Sequence, residues 1–424
     1  MGLKRFDLGS WLDSPLSRRR LDLTGLSEQR AAVQEIVARV AAEGDAALRE
    51  YEERFDGWKP APGDRFELGA AELRRALGRL QPGDRSALEL AADRIRAFHQ
   101  TQLYSESVGT PGLKLLTRPV RRAGIYAPGG RAAYPSTVLM GAIPARVAGV
   151  AEVVLATPPR ADGTVPAAIL AAAEIAGVDA VYRLGGAQAI AALAYGTATV
   201  PRVDVLVGPG NVYVTLAKRE VFGAVGVDGI AGPTEILVVA DGSATPSYVA
   251  ADLASQLEHD PMAWAVLVTD SGELADAVAL EFDDLLGKLE RAEVVAAAHG
   301  CIVLVESVTQ ALQVANDFGP EHLELVLEDA ERWVPSVENA GAVFVGPYTA
   351  VSLGDYVIGT NHTLPTAGSA RFGSPLGVHN FLKRTSVASL NRGDLQMLQE
   401  AARAIARLEG LTAHANAVEV RLRD

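Results

Sequence analysis

Cysteine is nearly absent from this chain, which has a single one, Cys301, in 424 residues. One cysteine excludes an intrachain disulfide and a cysteine-rich zinc module. Long apolar runs are absent too, because no stretch reaches the roughly 18 uninterrupted apolar residues of a membrane-spanning helix. The segment from Met1 to Arg20 has no apolar core of the kind that a signal peptide needs, so we expect a cytoplasmic protein.

Positive charge is in deficit. The chain has 39 Lys and Arg residues against 52 Asp and Glu residues, which gives a formal net charge of -13. Such a surface repels DNA and anionic lipid, so we expect no nucleic-acid partner and no membrane partner. Hydrophobic residues make up 49% and charged residues 21%, which is typical of a globular protein and excludes general disorder.

Helical spacing dominates the first hundred residues. Apolar residues recur every three or four positions between Leu26 and Phe55, and again over residues 70–105. From Arg122 onward, short apolar runs alternate with helical runs and glycine-containing turns. A repeated order of strand, tight turn and helix predicts parallel sheets with crossover helices.

The turns between these runs change in character near residue 235, which predicts two α/β units, one inserted in the other. The predicted fold class is α/β, with two Rossmann-like parallel-sheet domains, an N-terminal arm and a helical C-terminal tail. We expect the arm over residues 1–24 and the inserted domain over 124–235. The outer domain would combine 25–123 with 236–376, and the C-terminal helix and tail would occupy 377–424.

The adjacent residues Glu321 and His322 combine two proton-transfer groups whose pKa values can be moved toward neutrality by their surroundings. Gly319 and Pro320 shape the chain before them, at a turn that leads into a predicted strand. Turns at strand ends carry reactive side chains in many α/β enzymes. By itself the segment is also compatible with a helix-capping glutamate beside a hydrogen-bonded histidine.

Several other polar residues are candidates for metal binding. Gln256 and His259 stand three apart on a predicted helix and so share one face, a spacing that also arises by chance. Asp355 lies in the polar segment 354–366, where its carboxylate is a suitable oxygen ligand. His414 follows a predicted helix end at Gly410, where a histidine alone would be unremarkable.

Three glycine turns lie in the predicted insert, at residues 124–130, 185–188 and 208–211. The second and third join a strand to a helix, where backbone N–H groups and a helix N-terminus can bind phosphate. None completes the dinucleotide fingerprint G-x-G-x-x-G, because Tyr213 stands at the third glycine position after Gly208 and Gly210. Nucleotide binding and purely structural turns both remain open on the pattern alone.

Taken together, these segments resemble the histidinol dehydrogenase family over nearly the whole chain. The resemblance is carried by ten segments in matching order: 126–130, 135–140, 185–190, 208–211, 231–235, 255–259, 319–322, 354–366, 381–386 and 409–414. Two positions depart from the family pattern. Thr234 stands where serine is common, although the hydroxyl is kept, and His379 with Asn380 precedes Phe381 where other residues are usual.

The resemblance implies two cofactors, NAD and one zinc ion per subunit. The zinc, which would position the substrate, has the implied ligands Gln256, His259, Asp355 and His414. The implied NAD contacts are Tyr126, Gln188 and Asn211. The implied substrate contacts are Thr234, Gln256, His259, His322, Asp355, Glu409 and His414.

The implied reaction is the oxidation of L-histidinol through L-histidinal to L-histidine with two NAD+, the last two steps of histidine biosynthesis. His322 would act as general acid and base on the alcohol, and Glu321 would activate water. An aldehyde oxidation through a thioester would need a reactive thiol, but Cys301 heads an apolar run and we expect it to be buried and inert. The tail carrying His414 is implied to cross to a second subunit, in a homodimer with shared active sites.

Three other functions remain alternatives at this point. A zinc hydrolase could use Glu321 to activate water without NAD. A dehydrogenase of another amino alcohol could keep every motif named above. A non-catalytic metabolite-binding protein could share the fold.

Overall fold

The computed structural model describes residues 2–18, 25–61, 63–103, 111–129 and 133–423. Residues 19–24 of the predicted arm and Gly130 of the first glycine turn lie outside these residues. The chain divides into a larger compact unit, from Met1–Leu103 and Val120–Phe381, and a smaller one, from Tyr104–Pro119 and Leu382–Asp424. Within the described residues, no helix is both long enough and apolar enough to cross a membrane.

The described strands are β1 Lys4–Asp7, β2 Glu67–Leu68, β3 Leu113–Pro119, β4 Arg122–Tyr126, β5 Glu152–Thr157, β6 Ala180–Arg183, β7 Val205–Val207, β8 Gly226–Val227, β9 Glu235–Ala240, β10 Trp264–Thr269, β11 His299–Leu304, β12 His322–Val326, β13 Ala342–Val345 and β14 Leu382–Ala388. The described α-helices are α1 Leu8–Asp13, α2 Ser27–Glu43, α3 Asp45–Tyr51, α4 Ala70–Leu77, α5 Pro82–Gln100, α6 Pro135–Val147, α7 Ala167–Ala176, α8 Gly186–Tyr195, α9 Val212–Val221, α10 Pro246–Leu257, α11 Gly272–Leu286, α12 Ala292–Ala297, α13 Val308–Phe318, α14 Ala330–Trp333, α15 Val351–Tyr356, α16 Arg392–Leu408 and α17 Thr412–Glu419.

The first sheet has six parallel strands in the order β1-β11-β10-β9-β12-β13. Its central strand β9 is buried at every residue. Ile236 and Val238 pack into one core, whereas Leu237 and Val239 pack into the core on the opposite face. A strand covered by helices on both faces needs such a continuous apolar run, and the strands predicted from these runs are confirmed.

The second sheet has the order β2-β6-β5-β4-β7-β8 and is parallel except for the short edge strand β2. The chain passes from β4 outward to β5 and β6, and then returns to the other side of β4 for β7 and β8. The strand order therefore reverses between β4 and β7. Ligands in sheets of this kind bind outside the carboxyl ends of the strands at such a reversal. The predicted α/β class with two parallel sheets is confirmed.

The helices of residues 27–100 pack beside the second sheet. Helix α2 contacts α8 and α9, α4 contacts α7, and α5 contacts α6. Val33 and Val37 share one core with Ile190 and Val214. The predicted outer domain joined this region to 236–376, but packing places it with the sheet of the predicted insert. An apolar helix face does not specify which sheet will cover it.

The described residues of the predicted arm, 2–18, are not separate from the rest of the fold. Strand β1 pairs in parallel with β11 and extends the first sheet. Trp11 of α1 is 2% exposed, and its ring packs edge to face against the ring of Phe6. Strand β1 and helix α1 are therefore part of the larger unit, and Trp11 belongs to its core.

The smaller unit contains an antiparallel pair, β3 and β14, and the two contacting helices α16 and α17. The predicted C-terminal helix is confirmed as α16. The strands and α17 did not stand out in the sequence, because β14 reads Leu-Lys-Arg-Thr-Ser-Val-Ala and is exposed along most of its length.

A buried ion pair fixes the turn after β7. Lys218 of α9 pairs with Asp228, and the exposed fractions of the two side chains are 5% and 7%. Lys218 Nζ also donates to the Gly208 carbonyl at 2.9 Å, while the Gly208 N–H donates to Asp228 at 2.8 Å.

We expect Lys218→Ala to lower the free energy of unfolding by about 3 kcal/mol, because Asp228 would remain buried and unpaired. Urea denaturation of the purified protein measures the loss. The control is Lys59→Ala, whose pair with Glu53 is exposed and should contribute less than about 1 kcal/mol. Equal losses in the two variants would contradict this interpretation.

Candidate active site

The residues Glu321 and His322 lie where α13 gives way to β12. Gly319 ends α13 at φ 59°, a left-handed conformation that favours glycine, and its N–H closes the last turn onto Ala315. His322 is the first residue of β12, so the pair lies at the amino edge of the first sheet. The predicted position at a turn before a strand is confirmed.

The Glu321 carboxylate is held by two donors from the start of β9. Its Oε2 accepts from the Glu235 N–H at 2.9 Å and from the Thr234 hydroxyl at 2.5 Å. The backbone around it is closely packed, since a Cβ on Gly341 would lie 2.5 Å from the Glu321 carbonyl oxygen. Hydrogen bonds to a carboxylate favour its ionised form, which accepts protons.

The His322 imidazole is 4% exposed and oriented by a carbonyl. Its Nδ1 lies 3.0 Å from the Glu235 carbonyl oxygen, and because a carbonyl only accepts, Nδ1 carries the proton. Nε2 is left with its lone pair, 3.9 Å from Asp355 Oδ1. Burial lowers the pKa of His322 although Asp355 opposes this, so the ring is neutral near pH 7 and can take a proton at Nε2.

Glu235 joins these groups. Besides its backbone bonds to Glu321 and His322, its carboxylate Oε1 accepts from the N–H groups of Glu321 and Ala367, each at 3.1 Å. Ala367 has φ 53°, a left-handed conformation that costs a non-glycine residue about 1–2 kcal/mol. Glu235 is 1% exposed. Its carboxylate holds the strained turn at Ala367 beside Glu321 and His322.

The proposed metal ligands of the larger unit arrive on helices that run against the strands. Gln256 is in the last turn of α10, His259 follows that helix, and Asp355 is next to last in α15. The predicted polar segment 354–366 is therefore helical at Asp355. Gln256 Nε2 donates to the Thr234 hydroxyl, which leaves the amide oxygen as the atom able to bind a metal.

His362 joins this group, with Nδ1 2.9 Å from the Asp355 carbonyl oxygen. Burial lowers the pKa of His362, and Asp355, His322 and His259 all act on it electrostatically. His362 is thus hydrogen-bonded to the backbone of Asp355, whose carboxylate lies 3.9 Å from His322.

Two neighbouring carboxyl groups lie between the elements that carry these residues. Glu324 of β12 and Asp252 of α10 face one another, and burial raises the pKa of Glu324 well above its usual range and that of Asp252 to about 6. Glu324 Oε1 also accepts from the Val351 N–H, which begins α15. One carboxyl pair therefore links the helices of Gln256 and Asp355 to the strand of His322.

The donors present suit zinc, which binds imidazole nitrogen and carboxylate or amide oxygen. In the part of the chain that the structure describes, no three His, Cys, Asp or Glu residues are arranged to hold a metal ion. The larger unit thus offers an incomplete set. Glu409, after α16, and His414, in α17, are exposed residues of the smaller unit.

The three implied NAD contacts lie at the carboxyl edge of the second sheet. Tyr126 ends β4, Gln188 is in the first turn of α8, and Asn211 caps α9 by accepting from Tyr213 and Val214. Asn211 is exposed, whereas Tyr126 and Gln188 are 3% and 1% exposed. The fold brings all three to the strand reversal, where a nucleotide would bind.

Sequence reasoning gave no role to Glu235, His362, Glu324 or Asp252. Glu235 offered a weak signal, as an acid that begins an otherwise apolar strand. Cys301 was placed correctly: it is 1% exposed in β11, and burial raises its pKa to about 11. A thiolate at that position is disfavoured near neutral pH.

The fold and the site together define an α/β enzyme with a buried carboxylate–imidazole pair and a separate edge suited to a nucleotide. A model of the histidinol dehydrogenase family matches residues 19–422. The chain belongs to the histidinol dehydrogenase family.

Individual relatives agree with this assignment. Histidinol dehydrogenase of Pseudomonas aeruginosa is 48% identical over 427 residues, with 99% of this chain and 96% of the relative covered. That of Aquifex aeolicus is 49% identical over 405 residues, with 94% and 93% covered. The crystal structure of the Elizabethkingia anophelis enzyme matches with a TM-score of 0.92 at 33% identity, covering 99% of this chain and 98% of that one.

We expect Glu235→Ala to lower kcat for histidinol oxidation at least about tenfold, because two buried N–H groups lose their acceptor and the pair loses its support. Glu235→Gln keeps one acceptor oxygen and should retain more of the rate. Steady-state kinetics on folded protein measures both. The control is Glu328→Ala, which alters an exposed acid beyond the other end of β12, and equal rates in all three variants would refute the positioning role.

Proposed function

We propose that this chain oxidises L-histidinol through L-histidinal to L-histidine, with two molecules of NAD+ and one zinc ion per subunit. The observation that carries the proposal is the neutral, buried His322, whose Nδ1 is fixed by a carbonyl and whose Nε2 can accept a proton. Membership of the histidinol dehydrogenase family supports the choice of substrate.

Bound NAD+ would supply the hydride acceptor for both oxidations, and bound zinc would supply an anchor for the imidazole and amino nitrogens of the substrate. We assign the zinc to Gln256, His259, Asp355 and His414. We assign the NAD contacts to Tyr126, Gln188 and Asn211. The substrate contacts in this proposal are Thr234, Gln256, His259, His322, Asp355, Glu409 and His414.

The two proton acceptors have separate tasks in the proposed reaction. His322 Nε2 takes the hydroxyl proton as hydride leaves the alcohol carbon, which gives the aldehyde. Glu321 takes a proton from water as the water oxygen bonds to the aldehyde carbon. A second hydride then leaves that carbon, which gives the carboxylic acid. Direct hydration is favoured over a thioester because Cys301 is buried away in β11.

The smaller unit supports a homodimer. Helix α16 has a single buried residue, Ala406, and its apolar side chains are exposed. Met397 is 76% and Leu408 87% exposed. An apolar helix face of this kind needs a partner. We propose a second copy of the chain, whose active site would receive His414 and Glu409.

We expect Glu321→Gln to stop the reaction after one NADH, because the aldehyde forms but water is not activated. His322→Asn should prevent even the first NADH. Single-turnover absorbance with excess enzyme and NAD+ measures the yield per histidinol, which should be two for the unaltered protein. A yield of two NADH per histidinol from Glu321→Gln would contradict separate roles for Glu321 and His322.

We expect truncation after Arg407, or His414→Ala alone, to remove bound zinc and activity. Zinc per subunit, measured by elemental analysis after gel filtration, gives a result independent of turnover. Asn416→Ala, an exposed change in the same helix, is the control and should keep its zinc. A truncated protein with full activity would exclude a ligand from the tail.

A further inference from the structure

Two carboxylates without a role in the proposed chemistry lie at the carboxyl edge of the second sheet. Glu52 and Asp56 begin and end a π-helical turn, Glu52–Asp56, that follows α3. Glu52 is fully buried, whereas Asp56 is partly exposed. Gln188 Nε2 lies 3.0 Å from Glu52 Oε1 and 3.4 Å from Asp56 Oδ2. The pair therefore adjoins an assigned NAD contact.

Asp56 lies directly against the turn that ends β6. A Cβ on Gly185 would be 2.7 Å from Asp56 Oδ2 and 2.8 Å from the Cβ of Pro158. Pro158, which follows β5, also lies against Gly129, where a Cβ would be 2.8 Å from its Cγ. The Asp56 carboxylate is thus placed where the carboxyl ends of β4, β5 and β6 come together.

The N–H groups of the two glycines in this turn are already used within the protein. The Gly185 N–H donates to Glu52 Oε1 at 3.3 Å, and the Gly186 N–H donates to the Tyr126 hydroxyl at 3.0 Å. A phosphate needs free N–H groups at a helix N-terminus, and here it would also be repelled by a carboxylate. An uncharged group with hydroxyl donors is the better match.

Asp56 is the more readily ionised of the two carboxyl groups. Burial, with the charge of Asp56 next in size, raises the pKa of Glu52 well above its usual range. Glu52 Oε2 is buried without a hydrogen-bond partner, which disfavours a negative charge on it. Burial also raises the pKa of Asp56, but this side chain is partly exposed to solvent at the turn.

Other acids near the second sheet are less suitable. In doubly wound sheets, an acid about 20 residues beyond the first glycine turn binds the ribose hydroxyls of NAD. Near that spacing, Glu152 begins β5 at the opposite edge and pairs with Arg122. Asp162, farther along, is exposed and bonded to Thr164.

We propose that Asp56 is a specificity-determining residue: its carboxylate accepts hydrogen bonds from the adenosine ribose of NAD and excludes the 2′-phosphate of NADP. The inference rests on the proposed NAD-dependent oxidation. It adds a residue from the segment after α3 to a cofactor site otherwise built by the second sheet.

The test is calorimetric titration of the full-length protein with three ligands: NAD+, NADP+ and the NAD+ analogue that lacks the adenosine 2′-hydroxyl. We expect the unaltered protein to bind NAD+ at least about tenfold more tightly than the other two. Asp56→Asn keeps the shape and removes the charge, so the three affinities should fall within about threefold of one another. Asp162→Asn is the matched control and should keep the preference of the unaltered protein.

Equal affinity of the unaltered protein for NAD+ and its 2′-deoxy analogue would overturn the assignment, and this arm needs no variant to fold. An unchanged preference in Asp56→Asn, or its loss in Asp162→Asn, would do the same. Histidinol-dependent NADH formation by the same preparation tests the proposed function separately. If the protein oxidises histidinol but binds the three ligands equally well, only the role of Asp56 is rejected. If it shows neither turnover nor NAD+ binding, both the role of Asp56 and the proposed function are rejected.

Discussion

The hydrogen bonds of one buried acid, Glu235, determine the geometry of the active site. Its N–H and carboxylate hold Glu321, and its carbonyl fixes the tautomer of His322. These bonds depend on the pairing of β9 with β12, in which His322 is opposite Ile236. A slip of one residue would turn His322 to the other face of the sheet. The position of the proton acceptor is therefore a consequence of strand register.

The two proposed sites lie at opposite edges of their sheets. Glu321 and His322 lie at the amino edge of the first sheet, where the helices that run against the strands end. The carboxyl end of α10 carries a partial negative charge, which favours a cation near Gln256 and His259. The second sheet uses its carboxyl edge, at the strand reversal beside Tyr126. Either edge of a parallel α/β sheet can thus carry a site, so the proposed acid–base site and the proposed nucleotide site do not each need a domain of their own.

Differences in burial and hydrogen bonding give chemically similar side chains different tendencies to carry charge. Glu324 and Glu52 are deeply buried beside another carboxyl group, and burial raises the pKa of each well above its usual range, which favours the protonated form. Glu321 instead accepts two hydrogen bonds, and such bonds favour the ionised form of a carboxyl group. His322 is neutral because desolvation outweighs the attraction of Asp355. Identical side chains thus differ in charge because their surroundings differ.

The sequence by itself determined the parallel strands, since apolar runs such as 236–239 can only be covered on both faces. It also determined the approach to His322, because Gly319 can adopt the conformation that ends α13, and the family, through motifs in matching order. Only the tertiary structure decided that residues 27–100 pack beside the second sheet. It also revealed Glu235, His362 and Asp56, since the partners of each lie mostly in distant segments. An acid or imidazole acquires its charge and role from neighbours that folding brings close, and local sequence does not contain those neighbours.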